Sequence, residues 1–136
     1  MIGYVTLGTN DLPRAAAFYD AVLAEIGAKR LYDFGTSIVW GVSPDKPGLS
    51  LTRPYDGKAA TVGNGVMVAL VVNSKEKVDR VYAKAISLGA KDEGPAGPSS
   101  FAPSEIAFAY RRSTLSVLST TSATITPLPT VAAFLS

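Results

Sequence analysis

The side chains of this chain that are best suited to chemistry are aromatic, Met and Arg residues in or next to segments with a strand-like pattern. Tyr4 and Thr6 alternate within the first such segment, so both side chains are expected on one face of a strand. Aromatic rings contact flat apolar ligands, and Arg binds anionic groups through paired hydrogen bonds. We therefore predict a site for a flat or apolar small molecule that carries an anionic group, with these ligand-binding residues: Tyr4, Thr6, Trp40, Arg53, Tyr55, Met67, Phe108 and Tyr110. The alternative for each of them is an ordinary place in the core or on the surface.

Two residue types are missing, and their absence excludes much familiar enzyme chemistry. The chain has no Cys, which removes disulfides, thiolate nucleophiles and thiolate metal sites. It has no His, which removes the most versatile general base and the commonest transition-metal ligand. A metal would have to bind oxygen ligands, and no carboxylate cluster with a suitable spacing is visible. We predict no metal and no cofactor, and the sequence identifies no catalytic residue.

The composition is typical of a globular protein with a large core. The chain has 136 residues, of which 47% are hydrophobic and 18% charged, which favours a single domain. The net charge of +2 is scattered, so we expect no nucleic-acid partner. No apolar run is long enough to span a membrane, and the first residues lack the pattern of a secretory signal. We expect a cytoplasmic protein.

The sequence contains a duplicated strand–helix pattern. Residues 3–10 match residues 66–73, since both are rich in strand-forming residues and both end in Asn. Apolar residues then recur at helical spacing in both copies, and each helix is expected to end at a glycine, Gly27 in the first and Gly89 in the second. Asp11 (or Asn10) and Ser74 are suited to cap the two helices.

Further strand-like segments complete each copy. In the first copy they are residues 29–35, 36–42 and 49–54, and in the second 104–112 and 114–120. We therefore predict an α+β fold of two βαβββ modules. Module one covers about 1–54, a linker about 55–64, module two about 65–120 and an apolar tail about 121–136.

These features resemble the vicinal oxygen chelate superfamily, which includes glyoxalases, bleomycin resistance proteins and extradiol dioxygenases. The resemblance is carried by "YVTLGTNDLPRAAAFYDAVL" and by "NGVMVALVVNSKEKVDRVYAKAISLGAK". It implies that the modules form half-barrels around a cleft, that the Tyr4 face lines this cleft, and that the protein is a homodimer.

The resemblance also implies where metal ligands would stand. The family's first His position is Tyr4 here and its second is Met67, while Val117 is the nearest counterpart of its Glu. A phenol keeps its proton near neutral pH and a thioether is too soft for a hard cation. The usual metal site is therefore expected to be missing.

The segment from Ser113 to Ser136 contains no charged residue, unlike the family's usual ending. It is either a divergent end, as an apolar strand or an arm on a partner subunit, or the result of a change of reading frame near Pro98.

Three functions remain open. The first is metal-independent binding or sequestration of a small molecule, as in a bleomycin resistance protein. The second is a metal-dependent enzyme with unusual ligands, similar to lactoylglutathione lyase or to a dioxygenase. The third is a non-enzymatic interaction protein whose apolar tail docks on another chain.

Overall fold

The structure is a computed structural model that describes residues 1–61, 67–72, 74–90 and 130–135. The chain divides into two compact units, Met1–Thr61 and Val62–Ser136. The division falls within the predicted linker.

The first unit is a βαβββ module. Its elements are β1 (Tyr4–Gly8), α1 (Leu12–Ala24), β2 (Lys29–Asp33), β3 (Ser37–Gly41) and β4 (Gly48–Thr52). They form one sheet of strand order β1-β4-β3-β2, in which β1 is parallel to β4 and the other pairs are antiparallel. The predicted α+β class and the predicted order of elements are confirmed here.

Helix α1 has the predicted start and end. The Asp11 side chain accepts a hydrogen bond from the Arg14 amide at 3.1 Å, and Pro13 lies in the first turn, where its missing N–H costs nothing. Gly27 follows the helix with φ +78°, a conformation that is cheapest without a Cβ. The buried face of α1 recurs every three or four residues and consists of Leu12, Ala15, Ala16, Phe18, Tyr19, Val22 and Leu23.

The sheet has one buried face, which packs against α1. Its side chains alternate along the strands, as a pleated strand requires, and they are Leu7, Ile38, Trp40, Leu49 and Leu51. The residues between them lie on the other face. This second face carries the candidate site.

The second unit contains β5 (Met67–Val72), α2 (Lys75–Ser87) and β6 (Thr130–Leu135). Ser74 caps α2 by accepting a hydrogen bond from the Lys77 amide at 3.2 Å, and Gly89 follows the helix with φ +88°. Val78, Val81 and Ala85 form its buried face. Both glycines and both caps therefore serve the roles predicted for them.

Strand β6 lies in the segment predicted to be an apolar tail. It pairs in parallel with β5 from Met67↔Thr130 to Val72↔Leu135. It thus stands beside β5 as β4 stands beside β1, and the tail forms a strand, which is one of the two alternatives for a divergent end. The predicted strands 104–112 and 114–120 lie outside the described residues.

Candidate functional site

The face of the first sheet that is turned away from α1 holds two of the eight sequence-predicted site residues, Tyr4 and Thr6. The register sets Tyr4 beside Gly48 and Thr6 beside Ser50. On the next strand, Val39 pairs with Ser50 and Ser37 pairs with Thr52. We call the following set the open face: Tyr4, Thr6, Ser37, Val39, Gly41, Gly48 and Ser50.

The floor of the open face is lowest at Gly48, one of its two glycines. A Cβ on Gly48 would lie 2.9 Å from the carbonyl oxygen of Trp40, 3.4 Å from Val39 Cγ1 and 3.8 Å from Tyr4 Cβ. At Gly41 the Leu31 side chain fills the space, since a Cβ there would lie 2.7 Å from Leu31 Cδ1. Any larger residue at position 48 would displace backbone. The sheet therefore requires glycine there, and this leaves a shallow hollow between Tyr4 and Val39.

Hydroxyl groups line the middle of the open face. The Oγ atoms of Ser37 and Ser50 lie 3.3 Å apart and share a hydrogen bond. Ser50 is 4% exposed. Thr6, the register partner of Ser50, is exposed. A hydroxyl offers one donor and two acceptor sites, so one mutual bond leaves much of the capacity of Ser37 and Ser50 for other partners. By contrast, the Thr52 hydroxyl is engaged with the carbonyl oxygens of Thr36 and Arg53, at 3.3 Å and 3.0 Å.

Exposed aromatic rings border this floor on two sides. Tyr4 is 67% exposed on β1. On β2, Tyr32 pairs with Val39, and its ring stacks on that of Phe34 with centroids 6.1 Å apart and planes 12° from parallel. Strands β1 and β2 are separated by three strand spacings, about 14 Å. The open face is thus a flat floor of small residues between two aromatic borders.

Trp40 lies on the opposite side of the sheet, in the core. It is 1% exposed, and its indole N–H donates a hydrogen bond of 2.8 Å to Asp20 Oδ1 on α1. Arg30 donates to both oxygens of Asp20, at 2.9 Å and 2.6 Å, and its guanidinium lies 5.7 Å from the Trp40 ring centroid. Hydrogen bonding from Arg30 holds the pKa of Asp20 below its usual range; the bond from Trp40 adds to this, while partial burial opposes it. The geometry therefore assigns Trp40 to packing between helix and sheet.

Arg53 and Tyr55 lie outside the open face, and Met67 belongs to the second unit. Arg53 and Tyr55 follow β4 and are exposed, and the Arg53 amide donates to the Thr36 carbonyl oxygen at 3.1 Å. Met67 begins β5 in the second unit, where its backbone pairs with Thr130. Phe108 and Tyr110 lie outside the described residues.

Sequence reasoning missed several residues of this face. Ser37, Val39 and Ser50 alternate with buried apolar neighbours in "SIVWG" and "GLSLT", so a strict period of two would have found them. Tyr32 was harder to place, because a register shift between Arg30 and Tyr32 breaks the alternation of β2.

The described residues offer no cluster of three or more Asp, Glu, His or Cys that could hold a metal ion. Strand β6, "TVAAFL", adds no such residue next to β5. No helix among the described residues is long and apolar enough to cross a membrane.

Comparison with known proteins gives a consistent result. The model of the Glyoxalase/Bleomycin resistance protein/Dioxygenase superfamily matches residues 1–109. No curated protein matches the chain.

Among solved structures, a glyoxalase/bleomycin resistance protein from Albidiferax ferrireducens is similar with a TM-score of 0.73 and 24% identity, over 100% of this chain and 98% of that one. A lactoylglutathione lyase from Agrobacterium tumefaciens has a TM-score of 0.60 and 16% identity, over 99% and 91% of the two chains. A family enzyme from Burkholderia phytofirmans has a TM-score of 0.60 and 16% identity, over 98% and 94%. At these identities the structural likeness concerns the fold alone.

Proposed function

Because the chain belongs to the glyoxalase/bleomycin resistance protein/dioxygenase superfamily, we propose that it binds a small organic molecule on the open face without a metal ion. The single observation that carries this proposal is the construction of that face. Its floor of small residues and hydroxyls lies between the exposed rings of Tyr4 on one side and of Tyr32 and Phe34 on the other. Large apolar side chains left in water around a low floor are a common feature of ligand sites.

Within the part of the chain that the structure describes, the residues do not fit a catalytic divalent metal. The resemblance to the family assigns Tyr4 to its first ligand position and Met67 to its second. The strand beside β5 contains no carboxylate, imidazole or thiolate. Neither a phenol nor a thioether is among the usual ligands of a hard cation. We therefore derive no step that involves a metal.

The open face also lacks a group that would act as a general base. Its polar atoms are the Tyr4 phenol and the hydroxyls of Thr6, Ser37 and Ser50. A hydroxyl needs an adjacent base to become a nucleophile, and these strands place no carboxylate beside it. The arrangement is suited to holding a molecule, which supports sequestration over turnover.

Two assignments accompany this proposal. We expect the protein to act in the cytoplasm and to form a homodimer. Sedimentation analysis of the purified protein at micromolar concentration tests the dimer, which a monomer at all concentrations would contradict.

The first experiment measures metal content and binding on the same preparation. We expect elemental mass spectrometry to find far less than one divalent metal per chain after dialysis, and chelator to leave ligand binding unchanged. Binding is read from the ¹H–¹⁵N spectrum during a small-molecule screen, with shifts expected at Thr6, Ser37 and Ser50. A stoichiometric metal, or turnover that chelator abolishes, would favour the enzyme alternative and contradict the proposal.

A further inference from the structure

We propose that the ligand of the open face is an uncharged planar ring compound that carries hydrogen-bonding groups. This inference rests on the proposed function and goes further by naming the class of ligand. It also departs from the anionic ligand that the sequence alone suggests.

Charge is the first argument. The open-face positions of β1, β4 and β3 carry no ionisable group apart from the Tyr4 phenol. On β2, Lys29 pairs with Gly41 at the corner of the face, outside the row of Thr6, Ser50 and Val39 that forms the central floor. The next residue, Arg30, is held by Asp20 at 2.6 Å and by Asp33 at 3.2 Å. Those two carboxylates neutralise its charge, and Asp20 belongs to α1 on the far side of the sheet. An anion on the central floor would lose water without gaining a cation, which is costly.

Shape is the second argument. The floor is part of a sheet and therefore nearly flat over the width of a ring. Gly48 carries no side chain beside Tyr4, whereas the Leu31 side chain lies against Gly41. A planar compound that lies flat there touches the floor with its face. Its edges meet Tyr4 on one side and the Tyr32–Phe34 stack on the other, about 14 Å apart. Aromatic pairs favour such edge and offset contacts.

Hydrogen bonding is the third argument. The Ser37 and Ser50 hydroxyls use one hydrogen for their mutual bond of 3.3 Å, so one O–H and several lone pairs remain. Thr6 adds a further exposed hydroxyl one strand away. A ring with hydroxyl, carbonyl or amine substituents can pair with these groups, whereas a pure hydrocarbon would leave them without partners.

The experiment compares two probes of equal shape, 2-naphthol and 2-naphthoate, on the metal-free full-length protein. We expect 2-naphthol to bind at least ~10-fold more tightly, because only the carboxylate must lose a charged hydration shell. Dissociation constants come from ¹H–¹⁵N titrations, and 2-naphthol is expected to shift the amides of Thr6, Ser37 and Ser50. Trp40 fluorescence is a poor reporter, since Trp40 lies on the other side of the sheet.

Two variants locate the binding. Tyr4→Ala removes one aromatic border and is expected to weaken 2-naphthol binding by ~10-fold, while Thr6→Val removes a hydroxyl at nearly constant shape and is expected to weaken it by ~2–10-fold. Both positions are exposed, so the fold is expected to tolerate the changes. Val42→Ala, at an exposed apolar residue beyond the end of β3, is the matched control and is expected to leave binding unchanged.

The outcomes separate the two proposals. If 2-naphthoate binds as tightly as 2-naphthol or more so, with the same shifts, the ligand class is overturned but the metal-free site stands. Lys29, the register partner of Gly41 at the corner of the face, would then be the cation to replace. If neither probe binds and the screened compounds that shift the open-face amides are charged or non-planar, the ligand class fails alone. If binding needs a metal, or all shifts lie elsewhere, both proposals fail.

Discussion

Trp40 shows how the same residue type can serve chemistry or packing, depending on which face of a strand it occupies. Its neighbour Val39 lies on the open face, and one step along the strand puts Trp40 against α1. There its indole N–H needs an acceptor, because an unpaired buried donor is destabilising. Asp20 supplies this acceptor and is itself held by Arg30. Through these hydrogen bonds, Arg30 on β2 and Trp40 on β3 connect the sheet to Asp20 on α1.

The first prediction concerns the hydrogen bond from Trp40 to Asp20. Asp20→Ala is expected to lower the free energy of unfolding by ~1–3 kcal/mol, because it leaves the Trp40 N–H without its acceptor. Asp20→Asn keeps an oxygen in place and is the matched control, with an expected loss of under about 1 kcal/mol, since the ion pair it removes is half exposed. Urea denaturation measures both. Equal losses in the two variants would show that the charge matters and the indole bond does not.

The second prediction concerns the pH dependence of the same carboxylate. Hydrogen bonding from Arg30 keeps the folded-state pKa of Asp20 below that of the unfolded chain, which is about 3.9. The stabilisation is therefore fully present above about pH 5 and is lost as the pH falls through the folded-state pKa. Between about pH 5 and pH 3 the native protein is expected to lose more stability than Asp20→Asn. Parallel slopes of unfolding free energy against pH would contradict this assignment.

Elements begin and end by local rules that both units follow. Each helix has a side-chain cap at its start, Asp11 or Ser74, and a glycine with positive φ after its end. Two hydrogen bonds join the linker to the start of α1. The side-chain amide of Asn10 donates to the Ala60 carbonyl oxygen at 3.1 Å and accepts from the Ala60 backbone N–H at 2.7 Å. This pair of bonds gives residue 60 a fixed place beside β1, where Ala60 Cβ lies 3.1 Å from the position of a Cβ on Gly8.

The third prediction tests the helix ends. Gly27→Ala is expected to cost ~1–2 kcal/mol of unfolding free energy, because the left-handed conformation strains any residue with a Cβ. No atom lies within 4 Å of the added methyl group, so the cost is conformational and not steric. Gly3→Ala, which has equal space and no positive φ, is the control and is expected to change stability by less than about 0.5 kcal/mol. A similar loss in both variants would refute the conformational explanation.

The fourth prediction tests the Asn10–Ala60 bonds. Asn10→Ala removes both, so the linker around Lys58 is expected to open and trypsin to cut the Lys58–Ala59 bond several-fold faster under native conditions. Asp11→Ala is the control, because it weakens the same helix start by ~1 kcal/mol without touching Ala60. If both variants raise cleavage equally, general destabilisation is the cause and the bonds to Ala60 are not.

At the scale of the whole molecule, the two units share a pattern but complete it differently. In both units the opening strand pairs in parallel with the unit's last described strand, β1 with β4 and β5 with β6. Only nine residues of coil and turn, 53–61, follow β4 in the first unit, whereas β6 comes from the uncharged end of the chain. The pairing of β6 with β5 gives a reason for the lack of charged residues in this segment, because a strand next to β5 is formed by it.

The fifth prediction follows from β6. Deletion of residues 130–136 removes the strand partner of all six residues of β5 and is expected to lower the melting temperature by more than about 5 °C, since the hydrogen bonds between the two strands are lost. Deletion of residues 1–2, which are exposed, is the control and is expected to change it by less than about 2 °C. An unchanged melting temperature after removal of β6 would show that this strand does not stabilise the second unit.

Much of the local structure was readable from the sequence. Apolar spacing of three and four predicted both helices, and caps and glycines predicted their ends. The resemblance of two segments to a known superfamily, supported by the duplicated pattern, predicted the family. Alternation also predicted the two faces of β1: Tyr4 and Thr6 lie on the exposed face, and Leu7 lies on the buried one. These features depend on residues close together in the chain, for which periodicity and capping rules are sufficient.

The assembly of the site depended on pairing between distant strands. The sequence gives no register, so it did not show that Ser50 meets Ser37 and Thr6, or that the shift in β2 turns Tyr32 toward Val39. The sequence did not show which face of β3 carries Trp40. In the structure its indole N–H bonds to Asp20 on α1, so Trp40 lies in the core. A shift of one residue exchanges every side chain between faces, and only the packing of the whole sheet against α1 fixes which face is buried.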